Sequence, residues 1–99
     1  MNTIDKQIKE LKSKLQDKEW QNIELEILGA ISIKVLLNKP QYTFNKRTKY
    51  IQLYDTKTNI KIGIDIYTAT QIDKEAMEYQ IRLDNSQMIK IKFKRVKIL

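Results

Sequence analysis

The chain has 99 residues, with 19 Lys and Arg against 12 Asp and Glu for a formal charge of +7, and it contains neither cysteine nor histidine. That length supports one compact α+β domain over residues 1–99 with a modest core, and no second domain. Without Cys there is no disulfide framework or thiolate metal site, and without His the commonest general base is missing, so triad-type acyl transfer lacks its parts.

The first segment, NTIDKQIKELKSKLQDKEW, places Ile4, Ile8, Leu11 and Leu15 at helical spacing, a narrow apolar stripe for laying on a sheet. Asn2 or Thr3 can cap it, and Asp5 to Lys9 and Glu10 to Lys14 are i,i+4 pairs in the favourable order. Trp20 is expected to close the end of this helix against the core. The stripe stops after about two heptads, too short for a coiled-coil seam.

From Ile23 the period changes to two. Ile23, Leu25, Ile27, Ile31, Ile33, Val35 and Leu37 share one phase, with Glu24, Glu26, Ser32 and Lys34 on the other. A two-residue hairpin at Gly29-Ala30 spoils that phase, so one long strand bent or bulged at Gly29 is the expectation, with a three-residue loop as the alternative. Residues 38–49, with the only proline at Pro40, form an irregular connection.

Two hairpins follow. Parity in KYIQLYDTKTNIKIGIDIY pairs Leu53 with Ile60 and Ile51 with Ile62, which sets Tyr50 opposite Gly63. In MEYQIRLDNSQMIKIKF, pairing Leu83 with Ile89 sets Lys90, Lys92 and Lys94 opposite Arg82, Gln80 and Glu78. Between the hairpins, TATQIDKEAM has Thr70 ahead of Asp73 as an approximate capping box, with Ile72 and Ala76 turned inward, and predicts a short crossover helix. The fold class is therefore α+β: an N-terminal amphipathic helix on a mostly antiparallel sheet of about five strands, with a short helix in a crossover.

The charge is segregated along the chain. Residues 1–37 hold six bases and six acids, and residues 50–84 four bases and six acids. Residues 38–49 hold four bases and residues 85–99 five, with no acid in either. Such clustering is expected of an electrostatic footprint. The comb of Lys90, Lys92 and Lys94 has a plain alternative reading, as lysines that keep an edge strand soluble.

Catalytic chemistry finds little support. Glu24 and Glu26 share a strand face and Asp65 is a conceivable third carboxylate for Mg²⁺, but Leu28 stands where a common metal-nuclease pattern has lysine. The pair reads better as strand residues opposite lysines. The expectation is a non-enzyme with no cofactor and no metal.

What remains is binding. Tyr42 and Phe44 lie among Lys39, Lys46, Arg47 and Lys49, and an aromatic between cations can stack on a base while its neighbours neutralise phosphates. Tyr50, Tyr54 and Lys61 extend that platform, and Arg82, Lys90, Lys92, Lys94, Arg95 and Lys97 form a second wall. The expected partner is anionic, either nucleic acid or an acidic protein surface. The first alternative is a phage or mobile-element inhibitor that blocks a host protein, as anti-CRISPR proteins block defence nucleases, using anchors such as Trp20, Tyr42, Phe44 and Tyr54. The second is a homo-oligomerising module that adds a strand at its last strand. The longest apolar runs, ILGAI and VLL, fall far short of the about 20 residues that cross a bilayer. The N-terminus has no apolar signal region, so the expected location is the cytoplasm, or the host-cell cytoplasm for a phage protein.

Overall fold

The computed structural model describes residues 3–16, 22–75 and 77–94. Asn2, Trp20, Ala76, Arg95 and Lys97 lie outside them. One helix, α1 (Thr3–Gln16), precedes eight strands: β1 (Asn22–Leu28), β2 (Ile33–Asn38), β3 (Gln41–Asn45), β4 (Tyr50–Asp55), β5 (Ile60–Asp65), β6 (Ala69–Glu75), β7 (Glu78–Leu83) and β8 (Met88–Lys94). They form two antiparallel sheets, a large one in the order β2-β1-β8-β7-β6 and a small one in the order β3-β4-β5.

The helix follows its apolar stripe. Ile8, Leu11 and Leu15 are buried, with Asp5 in the first turn and Lys14 in the last, where each complements the helix dipole. It bridges the sheets. On the small-sheet side Lys49 Nζ meets Asp5 at 3.0 Å and Lys12 Nζ lies 5.6 Å from the Phe44 ring centroid. On the large-sheet side Gln7 Nε2 donates to the Ile72 carbonyl at 2.6 Å, and Lys14 Nζ lies 5.9 Å from the Phe93 ring. The buried apolar residues of the helix and both sheets form one cluster, in which Tyr79 and Phe93 meet edge to face.

Five expectations are corrected. Residues 38–49 are not irregular throughout, since Gln41–Asn45 forms strand β3, which with β4 and β5 makes a second, three-stranded sheet in addition to the five-stranded one. Gly29 does not bend one long strand: β1 and β2 pair as a hairpin with Ile27 opposite Ile33 and Ile23 opposite Leu37. That register centres an odd-length loop on Ala30, which keeps Ile23, Leu25, Ile27, Ile33, Val35 and Leu37 on one face and leaves Ile31 exposed in the loop. Residues 69–75 are strand β6 and not a crossover helix. The helical reading needed Ile72 and Ala76 as its only apolar face, and pairing with β7 buries Ile72 beside Ile81 instead.

Both hairpin registers shift by two residues. Leu53 faces Ile62 with Tyr50 opposite Asp65, and Ile81 faces Ile89 with Arg82 opposite Met88. The cause is turn chemistry. Asp55 Oδ1 accepts from the Lys57 and Thr58 amides, and Asn59 takes the left-handed conformation at φ 61°, closing a four-residue turn between Asp55 and Ile60. The β3–β4 turn repeats the device: Asn45 Oδ1 accepts from Arg47 and Thr48, and Lys49 sits at φ 55°. In the last hairpin Leu83 N–H donates to the Gln87 carbonyl, and Ser86 at φ 70° completes a three-residue loop. Finally, β8 is the central strand of the large sheet, between β1 and β7, and not an edge.

Candidate binding surface

The central position of β8 changes what the lysine comb meets. Lys92 lies between Glu24 of β1 and Glu78 of β7, and Lys90 between Glu26 and Gln80. Glu24 bonds two lysines, Lys34 at 2.9 Å and Lys94, and is only 8% exposed although it faces outward. Lys34 foremost, then Lys94, hold its carboxyl at about 2 against an ordinary 4.5, and Glu24 raises Lys34 in return. By register, this outer face carries Lys34, Arg82, Lys90, Lys92 and Lys94 with Glu24, Glu26, Asp73, Glu75 and Glu78. Bases and acids balance there in number and alternate from β2 to β7, and only at β6 do two acids face each other, Glu75 opposite Glu78. The comb is an internal charge ladder, so its lysines make no positive wall by themselves.

The small sheet differs. Residues 38–65 carry Lys39, Lys46, Arg47, Lys49, Lys57 and Lys61 against Asp55 and Asp65. Asp55 is wholly buried: its Oδ2 accepts from the Asn38 amide at 2.9 Å while Oδ1 holds the turn amides. The Asn38 bond foremost, aided by those amides against the opposing effect of burial, keeps this carboxyl below its ordinary pKa. The same bonds hold the corner at Asn38 and Lys39 against the turn that bears Lys57. At the other end Lys46 and Arg47 project from the β3–β4 turn.

Between these basic ends lies an open face of polar and aromatic side chains. The register places Gln41, Tyr54 and Lys61 in one row, Thr43, Gln52 and Gly63 in the next, and Asn45, Tyr50 and Asp65 in the third. Tyr54 Oη donates to Asn59 Oδ1 at 2.9 Å, which fixes the ring along the strand. Tyr50, 40% exposed, lies over Gly63. Tyr67, 63% exposed, stands near one end with Lys49 Nζ 6.0 Å from its ring centroid.

Several candidate residues therefore come together and others do not. Lys39, Lys46, Arg47, Tyr50, Tyr54 and Lys61 border or occupy this face. Tyr42 and Phe44 turn the other way, half-buried against the core, because they share the inward phase of Ile51 and Leu53. Base stacking on those two rings is not available in this arrangement. Lys49 is half-buried and paired with Asp5. Arg82, Lys90, Lys92 and Lys94 belong to the charge ladder on the large sheet. Gln41, Thr43 and Lys57 were not legible as surface members, although alternation along β3 and the Asp55 turn carried the signal. Glu24 and Glu26 stand on the large sheet and Asp65 on the small one, and among the described residues no three acidic, His or Cys side chains are grouped to hold a metal ion. No helix among them is long and apolar enough to cross a membrane.

Compared with protein-family models, curated proteins and solved structures, the chain matches none of them.

Proposed function

We propose that the protein is a non-enzymatic binding module that offers the outer face of its small sheet to a single-stranded nucleic acid. One observation carries this reading: Tyr50, Gln52 and Tyr54 stand in a column on an open sheet face whose two ends are rimmed by Lys39, Lys57 and Lys61 and by Lys46 and Arg47. Bases stack on tyrosine rings without sequence preference, amides bond base edges, and flanking cations neutralise phosphates and release counterions. A single strand fits the reading better than a duplex, because a flat β-face with rings upon it accepts splayed bases.

The test is fluorescence anisotropy with labelled single-stranded DNA, RNA and duplex across a salt series. The expected result is preference for single strands and a steep log-log salt slope that flattens in K46E/R47E. Tyr54→Ala is expected to weaken binding by about 1–3 kcal/mol if its ring stacks. A folded protein that binds no nucleic acid at low salt overturns the reading. A weak salt slope with capture of an acidic protein would move the same surface to a protein partner.

A further inference from the structure

The large sheet has two edges, and among the described residues only one of them is covered. On β6 the helix lies alongside and Gln7 caps the Ile72 carbonyl. On β2 no further strand pairs beyond β1 among the described residues, and Ile33 and Leu36 are each 50% exposed. An apolar edge strand with unpaired amides is a template for another strand. We infer that β2 pairs antiparallel with β2 of a second copy of this chain, joining the large sheets into one.

The register follows from which backbone groups are free. The Asn38 N–H points away from β1, since it bonds Asp55 Oδ2. In an antiparallel ladder the outward groups belong to alternate residues, so Leu36 and Lys34 also present N–H and C=O to the free edge. Asn38 is already taken, and the small sheet meets β2 there. The open window is therefore Ile33 to Leu37, with Val35 at its midpoint. Pairing about Val35 sets Lys34 against Leu36 of the copy in bonded pairs and Val35 against itself in a non-bonded pair. Shifting by one step toward the hairpin sets Lys34 directly against its own copy, and the opposite step drives Lys34 onto the occupied Asn38. Only the central register satisfies the free groups and keeps like charges off direct opposition.

Charge also favours a second copy over a foreign strand. Across the seam the row runs Lys90, Glu26, Lys34, then Leu36, Glu24 and Lys92 of the copy, so acids and bases continue to alternate with one apolar contact between them. Each Lys34 brings its own counter-ion, Glu24, at 2.9 Å. The last strand, β8, is central in the sheet and has no free edge for such pairing.

The experiment combines sedimentation velocity with cysteine cross-linking, which the Cys-free chain makes clean. The wild-type protein is expected to show twice the monomer mass on concentration and to dissociate on dilution. Val35→Cys should cross-link to a dimer on mild oxidation, since facing residues of a non-bonded pair lie within disulfide reach, whereas Lys34→Cys and Leu36→Cys should not. Leu36→Lys should give a monomer, because it meets Lys34 of the copy while Glu24 beside it keeps the single chain folded. A wild-type chain that stays monomeric at high concentration overturns the inference. So does a dimer in which all three cysteine positions cross-link alike. Nucleic-acid binding is read separately and bears on neither outcome.

Discussion

The Tyr50 ring lies across Gly63, one row removed from its backbone partner Asp65, so that a methyl group built on Gly63 would overlap the Tyr50 hydroxyl and Cζ. Gly63 does not have a positive φ, so its backbone would accept a side chain. The glycine is there for the ring. Covering an edge-strand glycine with a cross-strand aromatic restores packing that glycine lacks.

This pairing predicts a coupling. In a Tyr50→Ala background, Gly63→Ala should stabilise the protein by about 0.4–1 kcal/mol by restricting the unfolded chain. In the wild-type background the displaced ring should cancel or reverse that gain. Urea denaturation of the four proteins measures it, and equal effects of Gly63→Ala in both backgrounds would refute the contact.

Glu24 predicts an acid limb. Its carboxyl titrates at about 2 when folded and near its ordinary 4.5 when unfolded, so the unfolded chain binds more protons between those values. The stabilisation is complete above about 4.5 and drains away as pH falls toward 2. Melting temperature followed from pH 6 to about 2 should therefore drop less steeply in Glu24→Gln than in the wild type. Parallel curves would contradict the Lys34 and Lys94 pairing.

Asp55 joins two jobs in one side chain, and Asp55→Asn should separate them. An amide can keep its oxygen on Lys57 and Thr58, but it then turns an N–H₂ toward the Asn38 N–H, donor against donor. Hydrogen exchange is expected to speed up at Asn38 while the turn amides stay protected. Unchanged protection at Asn38 would show that the corner is held by something else. Asp55→Ala should cost more stability than Asp55→Asn, since it leaves all three amides without this acceptor.

The charge ladder makes opposite predictions for two sets of lysines. Lys92→Glu sets four carboxylates in a row with Glu24, Glu78 and Glu75, so it should lower stability, with added salt restoring part of it. Nucleic-acid affinity of the folded fraction should change by less than about twofold. K46E/R47E should do the reverse, sparing stability and weakening binding. If Lys92→Glu abolished binding in folded protein, the ladder would have to be part of the surface after all.

Periodicity made much of this legible. The helix with Ile8, Leu11 and Leu15 inward, the phase of β1 and β2, and the parity of both later hairpins are all written in the spacing of Ile and Leu. Parity cannot distinguish registers two residues apart, because each keeps every apolar side chain on the same face. Asn45 and Asp55, each followed three residues later by Thr and then by a left-handed residue, were the signals that set the β3–β4 and β4–β5 turns. Strand order lay beyond local pattern, since nothing near Lys90 in sequence says that Glu24 and Glu26 will lie beside it. For the same reason net charge by segment marked residues 38–49 and 85–99 alike, although Lys90, Lys92 and Lys94 meet Glu24, Glu26 and Glu78 once the sheet has formed.

That distant pairing also sets an order in time. The small sheet closes through two short turns, whereas Ile23 must find Phe93, about 70 residues further along, before the large sheet exists. Until then Glu24 lacks Lys94, Leu25 lacks Ile91, and the β1–β2 hairpin stands as a two-stranded ribbon with both edges bare. We expect pulse-labelled exchange to protect amides of β3 to β5 before those of β1 and β8. Simultaneous protection would show that the sheets form as one. In a cell the interval before β8 joins is when this chain is most exposed to pairing with the wrong neighbour.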